Sequence, residues 1–336
     1  MKKTIAVVTA SLLCLSCTAP VQPICAAERE NVAITCICDN GLNINTQNYD
    51  YYAWAGPICS HLVPLEDGGW MRVQTTVDSQ DQVRDDSLDQ VRIEYYDADF
   101  HLTERFSVPR ILSDYGGFYH ASDGCYYLIT GDTVETPAGE SPKYDIAKYS
   151  TDWTLLSHVQ TVGDDVVKAF SAGTVRCADD GKRMIIHTSR QMQSGHQSNY
   201  SMELDMESMK LTYDGGGRAY TSHSFNQFVL LDEGDIVMLN HGDIYPRSVV
   251  LNRLSSTGGN ARLDMVSCFS DLGEADPDDV LLVNYTGVAV GGFVQSSTHY
   301  IIAYNTINQD NWYDIAVSRK SSMNETARNI KLAAVP

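Results

Sequence analysis

The sequence predicts an all-β protein, a β-propeller built from four-stranded blades. Three observations lead there. A hairpin pattern recurs about every 55 residues, Asp-Gly turns mark its centres, and helical periodicity is almost absent. The five first hairpins read SHLVPLEDGGWMRVQT, GFYHASDGCYYLIT, GTVRCADDGKRMIIHT, FNQFVLLDEGDIVMLNH and GFVQSSTHYIIAYN. Their turns centre on Gly68, Gly124, Gly181 and Gly234, with Ser297-Thr298 in the fifth. Asp-Gly between alternating hydrophobics signals a hairpin, because glycine accepts the positive φ of such turns.

A second hairpin follows each first one. These read VRIEYYDADFHLTERF, YDIAKYSTDWTLLSH, YSMELDMESMKLTY, SVVLNRLSSTGGNARLDMV and YDIAVSRKSSMNETARNIKL. A lone four-stranded sheet leaves both faces wet, and stacking blades around an axis covers them. Five repeats are visible, and a ring of six or seven would need blades the pattern does not mark. The alternative is a β-sandwich, also made of many short strands. NVAITCICD, before the first repeat, is a candidate outer strand to close the ring. The expected organisation is one propeller domain over 28–336, C-terminally incomplete if the ring needs more blades.

The first 27 residues read as a signal peptide: Lys2 and Lys3, an apolar TIAVVTASLLCL, and Cys25-Ala26-Ala27 before Glu28. A lipoprotein signal with lipidated Cys17 is the alternative. The expected location is therefore secreted or lipid-anchored at the cell surface. No other stretch is apolar enough for a transmembrane helix. Cleavage would leave Cys36, Cys38, Cys59, Cys125, Cys177 and Cys268. Cys125 and Cys177 read as small core residues, and a bridge from Cys36 or Cys38 to Cys59 stays open.

Acidic residues outnumber basic ones 43 to 24, for a net charge of −19. That excludes the basic stripe a nucleic-acid binder needs. It suits a soluble, self-repelling protein, expected as a monomer.

The repeat also places the site-grade residues. In a propeller, the loops between strands two and three share a face with the between-blade loops. The former are expected to begin near Thr75, Gly131, Thr188, His241 and Asn305. His187, Arg190, His196 and Gln197 then fall in one loop, HTSRQMQSGHQSN, and His241, Asp243, Tyr245 and Arg247 in another, HGDIYPR. His223 and Asn226 enter from YTSHSFN between blades. A hairpin returns the chain to the face it left, so His223 and His241 are expected neighbours.

Three chemistries fit this set. The leading one is an anionic glycan site, with Arg190 and Arg247 as carboxylate forks and Tyr245 and Tyr119 as stacking faces. Asn226, Gln197, His187 and His196 add substrate contacts, and His241, Asp243 and His223 supply acid/base catalysis. If an enzyme, it would be a glycoside hydrolase or polysaccharide lyase; Asp243, Asp132 and Glu140 are the loop carboxylates a hydrolase could pair. The second is a divalent metal held by His187, His196, His223, His241 and Asp243. The third is structural, with these groups satisfying loop amides and carbonyls. The non-enzymatic alternative is an interaction propeller that binds a cell-surface component. Trp54, Trp70, Trp153 and Trp312 read as blade packing, and Asp85-Asp86 and DLGEADPDD as solvated loops.

SHSFNQF (222–228) and HGDIYPRSVVL (241–251) resemble segments of a group of exported, propeller-like proteins of Gram-positive bacteria. GGFY, KYSTDW, FSAGTVR, HTSRQM and HQSN extend the resemblance over most of the chain after Leu62. It implies export and a propeller, and no particular activity. A second histidine is expected in the group where this chain has Arg190, which weakens the metal reading. The group is also expected to continue beyond the last residue here.

Overall fold

The computed structural model describes residues 58–75, 90–133, 142–171, 173, 175–245, 248–256, 262–268, 289–307 and 328–335. Within these, His223, Phe225, Asn226, 243–245, Ser248, 262–268, 305–307 and 328–335 are described in backbone alone. The leader, Cys36, Cys38, Trp54, Asp85-Asp86, Glu140, Arg247, the DLGEADPDD loop and Trp312 lie outside the described residues.

The described chain is all strand and turn. The first sheet runs β1 (Ser60–Pro64), β2 (Trp70–Thr75), β3 (Gln90–Tyr96) and β4 (Leu102–Pro109), each antiparallel to the next. The second repeats that order with β5 (Asp114–His120), β6 (Tyr126–Gly131), β7 (Tyr144–Tyr149) and β8 (Leu155–Thr161). A two-residue strand, β9 (Lys168–Ala169), leads into the third: β10 (Arg176–Asp179), β11 (Arg183–Gln191), β12 (Gln197–Asp205) and β13 (Lys210–Gly215). The fourth is β14 (Ser222–Asp232), β15 (Asp235–Tyr245), β16 (Ser248–Leu254) and β17 (Arg262–Cys268). The fifth holds β18 (Ala289–Gln295), β19 (Tyr300–Ile307) and β20 (Arg328–Val335). These are the blades of a β-propeller.

The turn chemistry matches the sequence pattern. Gly68, Gly124, Gly181 and Gly234 all have φ between +78° and +87°. At Gly68 and Gly124 an added Cβ would meet nothing within 4 Å, so backbone conformation alone requires glycine there.

Period-two alternation then assigns each strand face to a different neighbour. In β6, Tyr126 and Leu128 join the core against the first blade, while Tyr127 and Ile129 join the core against the third. In β11, Met184 and Ile186 face blade two, and Ile185 packs with Val229, Ile236 and Met238 of blade four. In β15, Val237 and Leu239 pack with Phe293 and Ile302 of blade five. Strands buried on both faces read as near-continuous apolar runs (YYLI, MII, IVML), and each such side chain contributes roughly 1.5–3 kcal/mol when fully buried. Trp153 is 6 % exposed, packs on Phe118, Tyr126 and Tyr149 of its own blade and donates from Nε1 to Tyr95 Oη of blade one (3.1 Å), so it packs between blades one and two as expected. Cys125 and Cys177 pack against the core between blades two and three, again as expected.

Two expectations need correction. The strand written NIKL in the fifth repeat was expected as its fourth strand, yet β20 pairs directly with β19. Two of the expected site loops are largely strand: β11 continues past Thr188 to Gln191 and β15 past His241 to Tyr245. Polarity did not mark a loop there: His187 bonds to Asn240 of the neighbouring blade, and Arg190 to Ser198 and the Asp164 carbonyl. By contrast, β6 ends at Gly131 as expected.

Candidate functional site at the long hairpin ends

The third and fourth blades carry the longest strands among the described residues, β11 and β12 of nine residues each and β14 and β15 of eleven each, and these meet. Ser198 at the start of β12 pairs with Ser222 at the start of β14, merging the two blades into one nine-stranded sheet. Thr221 N–H donates to Asn199 Oδ1 (2.7 Å), and Asn199 N–H donates to Thr221 O (3.2 Å). Gln197, His223, Asn226, Asp243 and Tyr245 are thereby carried to one end of the fold.

The β14–β15 pair is irregular at that end. Ser222 lies opposite Tyr245, Ser224 opposite Gly242 and Phe225 opposite His241, with register shifts at 222/224 and 225/228. The backbone therefore brings positions 223 and 241 into the same stretch of hairpin. Bulges of this kind re-aim side chains and are over-represented next to active sites.

Beneath that end lies a buried polar chain between blades three and four. His187 is fully buried. Its Nε2 lies 2.9 Å from Asn240 Oδ1 and its Nδ1 2.9 Å from Ser201 Oγ. A carbonyl oxygen can only accept, so Nε2 carries the proton and Nδ1 accepts from the serine. Ser224 Oγ donates to the same Asn240 oxygen (2.9 Å), and Gln227 Nε2 donates to Ser224 (2.9 Å). Burial pulls the His187 pKa down to about 4, the Asn240 bond opposing it. The ring is neutral at ordinary pH.

His241 is also buried, 1 % exposed, and burial lowers its pKa to about 3. It shares the strand parity of Val237 and Leu239, which pack toward blade five, whereas His187 reaches into blade four. In register His187 lies opposite Arg176 and Leu239 opposite Phe228, so His241 sits two positions beyond the equivalent of His187, and the two histidines face different interfaces. A metal bridging them has no geometric basis, and among the described residues no cluster of three His, Cys, Asp or Glu side chains could hold an ion.

Arg190 is buried too. Its Nε donates to Ser198 Oγ (3.2 Å), Nη1 donates to the Asp164 carbonyl, and the guanidinium lies 5.2 Å from the Tyr200 ring centroid. Its donors are turned inward, tying β11 to the between-blade loop. His196 is exposed at the β11–β12 turn, and Gln197 donates to Ser171 Oγ (3.3 Å). Tyr119, read as a stacking face, instead donates to Asp179 (2.8 Å) between blades two and three.

One set of residues escaped the sequence reading. On the first strands of the blades, His61 (β1) meets Phe118 (β5) edge to face at 5.7 Å, and Arg176 (β10) lies 4.4 Å from the centroid of Phe228 (β14). Phe228 in turn meets Phe293 (β18) at 6.5 Å. The recurrence of one aromatic or basic residue in each first strand was the available signal.

No protein-family model matches the chain, and no curated protein matches it in sequence. Solved structures resemble it only distantly. A luciferin-regenerating enzyme aligns over 83% of this chain and 78% of its own at 11% identity and TM-score 0.41. A Trypanosoma rangeli sialidase mutant with trans-sialidase activity aligns over 74% of this chain and 43% of its own at 10% identity and TM-score 0.42. A thermostable family-43 glycoside hydrolase aligns over 83% and 89% at 9% identity and TM-score 0.37. This chain spans less than half of the sialidase chain. At this distance the likenesses carry nothing about chemistry, and the propeller rests on the blades themselves.

Proposed function

We propose that the protein is an exported β-propeller, secreted or lipid-anchored, that binds or processes an extracellular anionic glycan at the joined ends of its third and fourth blades. The observation that carries this reading is the double register shift in β14–β15, at the stretch that bears His223, Asn226, His241, Asp243 and Tyr245. A regular strand would serve packing equally well. An irregular one holding these residue types serves a ligand better. Arg247, two positions after Tyr245 in the chain, supplies the fork for a carboxylate. Asp243 and the nearby histidines supply acid/base groups if turnover occurs.

One observation favours the alternative, a non-enzymatic interaction propeller at the cell surface. His187 and Arg190 spend their hydrogen bonds inside the protein, as structural groups do. A polysaccharide-degradation screen beside a glycan array decides between them. The glycan reading expects anionic polysaccharide to be bound or cleaved by the wild type and lost in Asp243→Asn and Arg247→Ala, with the melting temperature kept. Silence in both screens would favour the interaction module and sink the glycan reading.

A further inference from the structure

The first strands of neighbouring blades approach one another, β5 with β10, β10 with β14 and β14 with β18. The electrostatics extend this across the ring. Arg176 acts on His61 although the whole second blade separates their sheets in the chain order. The contacts run the same way: His61 meets Phe118, and Gly117 beside it packs on Val175, the residue before Arg176. First strands of successive blades of a propeller border its central channel, which places His61 and Arg176 there.

Arg176 differs from most arginines nearby. Arg72, Arg183, Arg218 and Arg253 each meet a carboxylate. Arg176 is half-buried, its Nε is buried without a partner, and no described acidic group pairs with it. Burial lowers its pKa from the ordinary value, against a smaller effect of the Cys177 thiol. Its guanidinium plane is fixed over Phe228. A desolvated guanidinium with unused, pre-oriented donors is costly unless an anion completes it.

Beside it, His61 presents an acceptor. Its Nε2 lies 3.2 Å from the Ile58 carbonyl, which can only accept, so Nε2 carries the proton. Burial, with Arg176 adding a smaller repulsion, lowers its pKa to about 4, and the ring stays neutral. Nδ1 is left able to accept from a hydroxyl.

We propose that the central channel holds a ligand site in which Arg176 takes the carboxylate of a small hydroxylated acid, a uronate or uronate end group, and His61 accepts from one of its hydroxyls. Phe228 and Phe118 act as beds that hold the two polar groups in place. This site is separate from the hairpin-end residues, and it stands whether or not they bind a glycan.

Isothermal titration calorimetry with free sugars tests it. D-glucuronate and D-galacturonate serve as probes, with D-glucose as the neutral counterpart and glucose 6-sulfate as the other oxyanion. The wild type should bind at least one uronate and not glucose. Arg176→Met, which keeps the aliphatic stem, should weaken that binding at least about tenfold, as loss of a charged hydrogen bond implies. Arg176→Lys should retain partial binding, because the charge survives and the fork does not. Uronate binding that persists in Arg176→Met and is lost in Arg247→Ala would place the carboxylate at the hairpin end and overturn this assignment. No uronate binding by the wild type would overturn the proposal, as would undiminished binding in both Arg176 variants. Tighter binding of glucose 6-sulfate than of either uronate would overturn the carboxylate assignment.

Discussion

Acid should destabilise this protein well before its carboxylates titrate. Three histidines carry depressed pKa values in the fold: His187 and His61 at about 4 and His241 at about 3, with burial the largest cause in each. An unfolded chain restores them to about 6.5. Between those values the unfolded state binds more protons than the folded state, so stability is full above about pH 6.5 and falls as pH drops toward 4. Each histidine contributes about 1.4 kcal/mol per pH unit over the window where it is charged only when unfolded. His61 is the least enclosed of the three and contributes less, so the combined slope near pH 5 is about 3–4 kcal/mol per unit. Asp97, Asp152, Asp205, Asp232 and Asp235 have lowered pKa values, so their stabilisation is lost only below the ordinary carboxylate range. Asp145 is raised by burial against its His158 bond and acts oppositely, adding a little stability as pH falls toward that range. Urea unfolding at half-unit steps from pH 7.5 to 4.5 reads the slope. His187→Gln should lower it by about one proton, near 1.4 kcal/mol per unit. A flat profile, or an unchanged slope in His187→Gln, would refute the buried-neutral account.

Two further outcomes follow from packing and turns. Gly124→Ala should cost about 1–2 kcal/mol, since only the φ of +78° resists a side chain there. Gly116→Ala should cost more, because its Cβ would fall 2.3 Å from Phe170 Cζ; equal losses in thermal melts would contradict that contact. Trp153→Ala should remove about 3–5 kcal/mol by opening the interface of blades one and two, and a melting temperature within a degree or two of wild type would contradict its place there.

The blades were legible because three local signals agreed. Asp-Gly turns fixed the hairpins, apolar runs fixed the doubly buried strands, and spacing fixed the repeat. The site was less legible. His187, Arg190 and His241 looked like loop residues because they are polar, and polarity does not report whether a neighbouring blade supplies partners. Asn240, 53 positions from His187, is such a partner, and no local pattern connects them. The first-strand residues were hidden for the same reason, since His61 meets Phe118 and Arg176 meets Phe228 only once successive blades pack together. Equivalence of repeat positions held for the turns but not for the histidines: the register gives Leu239 the place of His187 and carries His241 two positions further, toward the next interface.

The claim that most depends on the ring is that first strands of non-adjacent blades face each other. A proton NMR titration of His61 in the wild type and in Arg176→Met tests it. His61 should titrate well below 6.5 in the wild type and higher once the guanidinium is removed, because its repulsion of the imidazolium is lost. An unmoved His61 titration in a folded Arg176→Met protein would contradict the axis and the channel site with it.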